Sequence, residues 1–111
     1  MPNVVLEHSK DIKETKPLMK SCHDHLMESG LFTLESIKVR HLSFEESMVG
    51  GQPDQSFLVV TVSIMPGRSQ ENKVKLGDSL HKRINEKCKE LGYQLNATVC
   101  IKETPEGLYF K

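Results

Sequence analysis

The run from Phe57 through Met65 is apolar on both sides of an extended chain. Leu58, Val60, Val62 and Ile64 oppose Phe57 and Val59, because successive side chains of a strand point to opposite faces. A strand of this kind is covered on both faces and belongs in the middle of a sheet. Pro66-Gly67 ends it. Ser69 follows as a helix N-cap with Glu71 in the first turn, predicting a helix from about 70 to 91. Along it Leu76, Leu80, Ile84, Cys88 and Leu91 recur at spacings of four and three, which is one helical stripe. Gly92 stops the helix, and a strand follows over about 93–102 with Leu95, Ala97, Val99 and Ile101 on one face.

The first half repeats this order. Residues 3–8 read as a strand, and a helix then runs from Thr15, its N-cap, to Ser29 with Pro17 in the first turn. Leu18, Cys22, Leu26 and Ser29 share a face, and Gly30 is the stop. A second strand covers about 36–46, where Ile37 and Val39 alternate with Lys38 and Arg40. Residues 49–54 form a turn by composition. Two βαβ units give a four-stranded mixed sheet with two helices on one face, an α/β two-layer sandwich. At 111 residues the chain is a single domain, 1–111, with a modest core. The sheet face away from the helices carries Lys38, Arg40, Gln94, Asn96 and Thr98 among apolar residues such as Phe57 and Val59. A mixed face of that kind suits cover by another subunit.

Charge narrows the functional classes. Fifteen basic and fifteen acidic side chains cancel, which argues against a nucleic-acid or membrane-surface binder. Cys22, Cys88 and Cys100 are an odd set without metal-ligand spacing and read as reduced packing residues of a cytoplasmic protein. No stretch is long and apolar enough to span a bilayer, and no charged start leads into an apolar signal core. Asn96-Ala97-Thr98 matches a glycosylation acceptor by chance in such a protein. His23 and His25 are two apart on a helix and point apart, so they make no joint metal site. His8 and His41 on strands read as surface or hydrogen-bonded structural residues, and Glu45-Glu46 as a solvated strand end. No paired carboxylates, nucleophilic triad or phosphate-binding glycine loop stands out.

Three features point to chemistry. Pro2 follows Met1 directly and leads into a strand. Removal of Met1 makes its ring nitrogen a secondary amine, held by the sheet where most N-termini fray. A held, partly desolvated amine that is neutral near pH 7 is a candidate general base. Arg68 stands at the start of the second helix, where a cation faces the positive end of the dipole at a cost of roughly 0.3–1 kcal/mol. An anion between it and the free N–H groups removes that conflict; an exposed head swung into water is the alternative. Lys38 and Arg40 project from one strand face, where two cations so close need an anion or water between them.

Met1-Pro2 with the strand to Glu7, Ser29-Gly30-Leu31-Phe32, Ser36-Ile37-Lys38-Val39-Arg40, Pro66-Gly67-Arg68-Ser69 and the ending Leu108-Tyr109-Phe110-Lys111 span nearly the whole chain. In this order and spacing the chain resembles the tautomerase superfamily, in its 5-carboxymethyl-2-hydroxymuconate delta-isomerase branch. The resemblance implies a homotrimer with sheets inward and helices outward. It implies a cofactor-free isomerase of aromatic-compound catabolism, with neither metal nor nucleotide. Pro2 falls on the base that moves a proton between enol and ketone. Arg68 falls on the arginine of the Gly-Arg-Ser turn, which binds substrate carboxylate. Lys38 stands where the family carries an arginine, and Arg40 on a neighbouring basic position. Lys keeps the charge without the planar fork, a departure that bears on the substrate more than on the reaction. The chain also ends sooner than that branch. Phe44, Phe57 and Phe110 are candidates for an apolar wall. Two other readings stay open: a non-catalytic trimer that binds a small acid or a protein, and a tautomerase of a different enolisable 2-oxo acid.

Overall fold

The computed structural model describes all residues, 1–111. Strand β1 spans Asn3–Ser9, helix α1 Thr15–Glu28 and strand β2 Lys38–Phe44. Two short strands, β3 at Met48–Val49 and β4 at Gln52–Pro53, form a hairpin. Strand β5 spans Leu58–Ile64, helix α2 Gln70–Glu90 and strand β6 Thr98–Glu103. The four long strands lie in the order β2-β1-β5-β6. β1 runs parallel to β2 and antiparallel to β5, and β5 runs parallel to β6. The sheet is mixed, with two βαβ units joined through their first strands, and the apolar run is central as expected.

Alternation along the central strands sets the two faces. Val4, Leu6 and His8 of β1 and Leu58, Val60, Val62 and Ile64 of β5 are buried. They join Leu18, Cys22 and Leu26 of α1 and Leu76, Leu80, Ile84 and Cys88 of α2 in one cluster. Both helical stripes read from the sequence therefore cover the same sheet face. The other face carries Asn3, Val5, Glu7, Lys38, Arg40, Leu42, Val59 and Thr61 by register. Leu42 is 55% exposed and Phe44 37%.

Several boundaries differ from the expectation, each for a local reason. Helix α1 begins at Thr15, and its N-cap is Glu14, which makes no side-chain cap bond. The Glu14 carboxylate instead takes the Tyr93 hydroxyl. Ser29 leaves the apolar face to serve as the C-cap, its hydroxyl donating to the Leu26 carbonyl at 2.6 Å. A 3-10 turn at Leu34–Ser36 delays β2 until Lys38. Strand β6 starts at Thr98 rather than near residue 93 because α2 claims the backbone before it. Asn85 Oδ1 accepts from the Ala97 N–H at 2.8 Å, and His81 Nε2 donates to the Ala97 carbonyl at 2.9 Å. The expected turn at 49–54 is sharpened into the β3–β4 hairpin by Gly50 and Gly51, both at positive φ of 56° and 78°, as a two-residue hairpin loop requires.

Candidate active site

The strand pairings bring four strand ends together. Asn3 at the start of β1 stands beside Lys38 at the start of β2 and Ser63 near the end of β5. Ile64 at the end of β5 stands beside Glu103 at the end of β6. Pro2 lies at the head of this group. It is buried, and its carbonyl accepts from the Lys38 N–H at 3.2 Å. Thr104 closes the far side, its N–H on the Ile64 carbonyl at 2.9 Å and its hydroxyl 3.6 Å from Met1 Sδ.

The electrostatics at this end are those of an amine among cations. The Met1 amine lies below its ordinary value, through desolvation first and then the charges of Lys38 and Lys111. Both effects disfavour a charged amine. No carboxylate of the chain comes within ion-pairing distance of Lys38, Arg40 or Arg68.

The site residues named from sequence separate into groups. Pro2 and Lys38 are adjacent through the β1–β2 ladder. Arg40 is exposed on the same open face, one pleat further along, beside Val5. Arg68 lies in the β5–α2 turn, so the chain places it at the Pro2 end of the sheet. Its head is turned toward the α1–β2 connection: Nη2 donates to the Leu31 carbonyl at 2.7 Å and Cζ sits 4.7 Å from the centroid of the Phe32 ring. Sequence reading singled out Arg68 but not this pair of contacts. The only signal for them is that Leu31 and Phe32 follow directly on the Gly30 helix stop.

The aromatic wall does not assemble around Pro2 in one chain. Phe44 and Phe57 pair with each other at 6.2 Å between centroids, at the opposite end of the sheet, where Ser9 lies against both Phe44 and Phe57. They border a cavity of about 270 Å³ with Glu7, Glu46, Ser47 and Val59. Phe110 is 86% exposed. His8 and His41 form a hydrogen-bonded pair, Nε2 to Nδ1 at 3.0 Å, with the His8 Nδ1 proton on the Ser9 carbonyl at 2.9 Å.

A proline-headed strand, a basic second strand and the arginine turn thus meet at one end of the sheet. A family model for 5-carboxymethyl-2-hydroxymuconate isomerase matches residues 2–111. The chain belongs to that family. The structure of a 5-carboxymethyl-2-hydroxymuconate isomerase from Deinococcus radiodurans R1 superposes on this isomerase with a TM-score of 0.85 at 21% identity, covering 99% of this chain and 87% of that one. A 5-carboxymethyl-2-hydroxymuconate delta-isomerase gives 0.84 at 14% identity, covering 100% and 87%. A fused 4-OT protein described as a symmetric trimer gives 0.77 at 19% identity, covering 95% and 87%. Likenesses at these identities establish the fold. Among curated proteins none matches the sequence. No helix of this isomerase is long and apolar enough to cross a membrane.

Proposed function

We propose that this isomerase ketonises a carboxylate-bearing dienol of the 5-carboxymethyl-2-hydroxymuconate type, with Pro2 as the base once Met1 is removed. The observation that carries the reading is the environment of the N-terminus. Pro2 is buried at the head of β1, and the amine beside it is held down by desolvation, Lys38 and Lys111. Loss of Met1 transfers the amine to the ring nitrogen of Pro2, next to Lys38. A neutral secondary amine there can take the proton of the substrate's 2-hydroxyl. The O–H electrons form the C=O bond, the diene electrons shift along the chain, and the amine returns the proton to a distal carbon. Base and acid are one atom, and atoms balance without a co-reactant.

Cations without carboxylate partners supply the rest. Lys38 and Arg68 bind substrate carboxylates and offset the negative charge that grows on the enolate oxygen. Arg40, one pleat away, extends the positive strip. Phe44 and Phe57, far from Pro2 in their own chain, reach a catalytic end by standing at the boundary of a second copy. The acidic end of the open face, with Glu7 and Glu46, complements the basic end of a neighbour. A heterologous contact of that kind gives a ring when its rotation closes, and the symmetric trimer of the fused 4-OT protein with the same fold supports a ring of three copies, a homotrimer.

Intact mass and turnover of the same preparation test this. The expected mass lacks Met1, and Pro2→Ala lowers the rate of ketonisation of 5-carboxymethyl-2-hydroxymuconate by about 10²-fold or more. Full retention of Met1 in active protein, or an unchanged rate in Pro2→Ala, ends the assignment. A panel of enolisable 2-oxo acids separates the muconate reading from a tautomerase of another substrate.

A further inference from the structure

Arg68 is seated, not loose. The Phe32 ring lies under its guanidinium, 4.7 Å from centroid to Cζ, and fixes the plane of the group. The Leu31 carbonyl takes a proton of Nη2 at 2.7 Å and fixes rotation within that plane. Nε is sealed from solvent with no acceptor. No group of the chain accepts from Nη1, and that nitrogen is not sealed away. Both seat residues come from the segment after Gly30, which turns at a φ of +73° and carries the chain from the end of α1 across to the β5–α2 turn.

Building on the reading of Arg68 as the substrate's carboxylate anchor, we propose that Phe32 is a positioning residue. Its ring face and the Leu31 carbonyl preset the guanidinium so that the Nη1 edge meets a substrate carboxylate. Lys38 explains the need. An ammonium is a point charge and sets distance but not angle. Arg40 is exposed and has no such seat. The angle of the substrate at this end of the sheet therefore depends on Arg68, and an arginine held in advance loses less rotamer freedom on binding. A purely structural role is the competing account, in which the contact only ties the α1–β2 connection to the β5–α2 turn.

Steady-state kinetics with 5-carboxymethyl-2-hydroxymuconate separate the two. Phe32→Leu and Phe32→Met, which keep apolar bulk but lose the ring face, raise KM by roughly threefold to thirtyfold with kcat little changed. Phe32→Tyr keeps the wild-type KM. In Arg68→Ala the KM is already raised, and adding Phe32→Leu raises it no further, because the seat has nothing left to hold. The Met variant carries the test if the Leu variant fails to fold. Unchanged KM in both variants, or effects of Phe32→Leu and Arg68→Ala that multiply independently, overturn the proposal. If Pro2→Ala and Arg68→Ala both leave kcat/KM intact, the functional reading itself fails. If those two respond and the Phe32 variants do not, only the seat is lost.

Discussion

Burial pushes the Cys22 thiol up to about 12, with nearby Cys88 adding to the rise, so at neutral pH neither the nucleophilic thiolate nor access to it is present. Native-state alkylation with iodoacetamide, mapped by mass spectrometry, is expected to spare Cys22 and buried Cys88, and to label Cys100, which is half-exposed beside Thr61 on the open sheet face, only where no second copy covers that face. His25 works in the other direction. Burial, and then the Arg83 guanidinium, hold it below its ordinary value. The folded protein therefore resists the proton that the unfolded chain accepts near pH 6.5, and stability is lost as the pH falls from about 6.5 toward the lowered folded value. His25→Gln removes that loss; Tm measured across about pH 7.5 to 5 should fall less steeply in the variant than in the wild type. At this scale Pro2, Lys38 and Arg68 stand out in the sequence because each sits beside a signal that the backbone cannot hide: a chain start, a strand alternation, a Pro-Gly break. The partners of Arg68 do not. Phe32 is joined to it across a sequence gap that no periodicity spans, and a ring at 4.7 Å is a property of packing.

Helix α2 was read from its own grammar, and its ends hold. The Ser69 hydroxyl accepts from the Asn72 N–H at 3.1 Å, and Ser69→Ala is expected to cost about 1 kcal/mol in denaturant unfolding. On the other side of Arg68, Gly67 stands at a φ of 111°, a conformation that side-chain-bearing residues rarely take. Cap and glycine together fix where Arg68 leaves the backbone. The start of β6 was misread for an instructive reason. Leu95, Ala97, Val99 and Ile101 alternate as a strand does, but alternation reports which face is apolar and not which backbone groups are free. Ala97 is buried with its N–H and carbonyl on Asn85 and His81 of α2, so the ladder begins one residue later. Helix capping is local and legible; competition for a backbone bond from a residue twelve positions away is not.

Across the whole molecule, one sheet face is closed by helices and the other exposes Leu42 and Phe44 between charged neighbours. Open apolar surface on a small protein marks a contact. Analytical ultracentrifugation is expected to give a trimer, and Leu42→Glu to shift it toward monomer while ketonisation falls with it; a variant that stays trimeric would remove Leu42 from the interface. The sandwich was legible because two βαβ units in series allow few arrangements, but the β2-β1-β5-β6 order and the distance between Phe57 and Pro2 depend on antiparallel pairing of β1 with β5, which no single segment encodes. That pairing has one more result. The two central strands start at opposite ends of the sheet, so Phe57 stands before β5 as Pro2 stands before β1. Yet the Phe57 nitrogen is an internal amide whose proton goes to the Ser9 hydroxyl at 2.9 Å. The backbone duplicates while the amine does not, so inactivation by an amine-directed affinity label should be complete at one equivalent per polypeptide, leaving the opposite end of the sheet chemically silent.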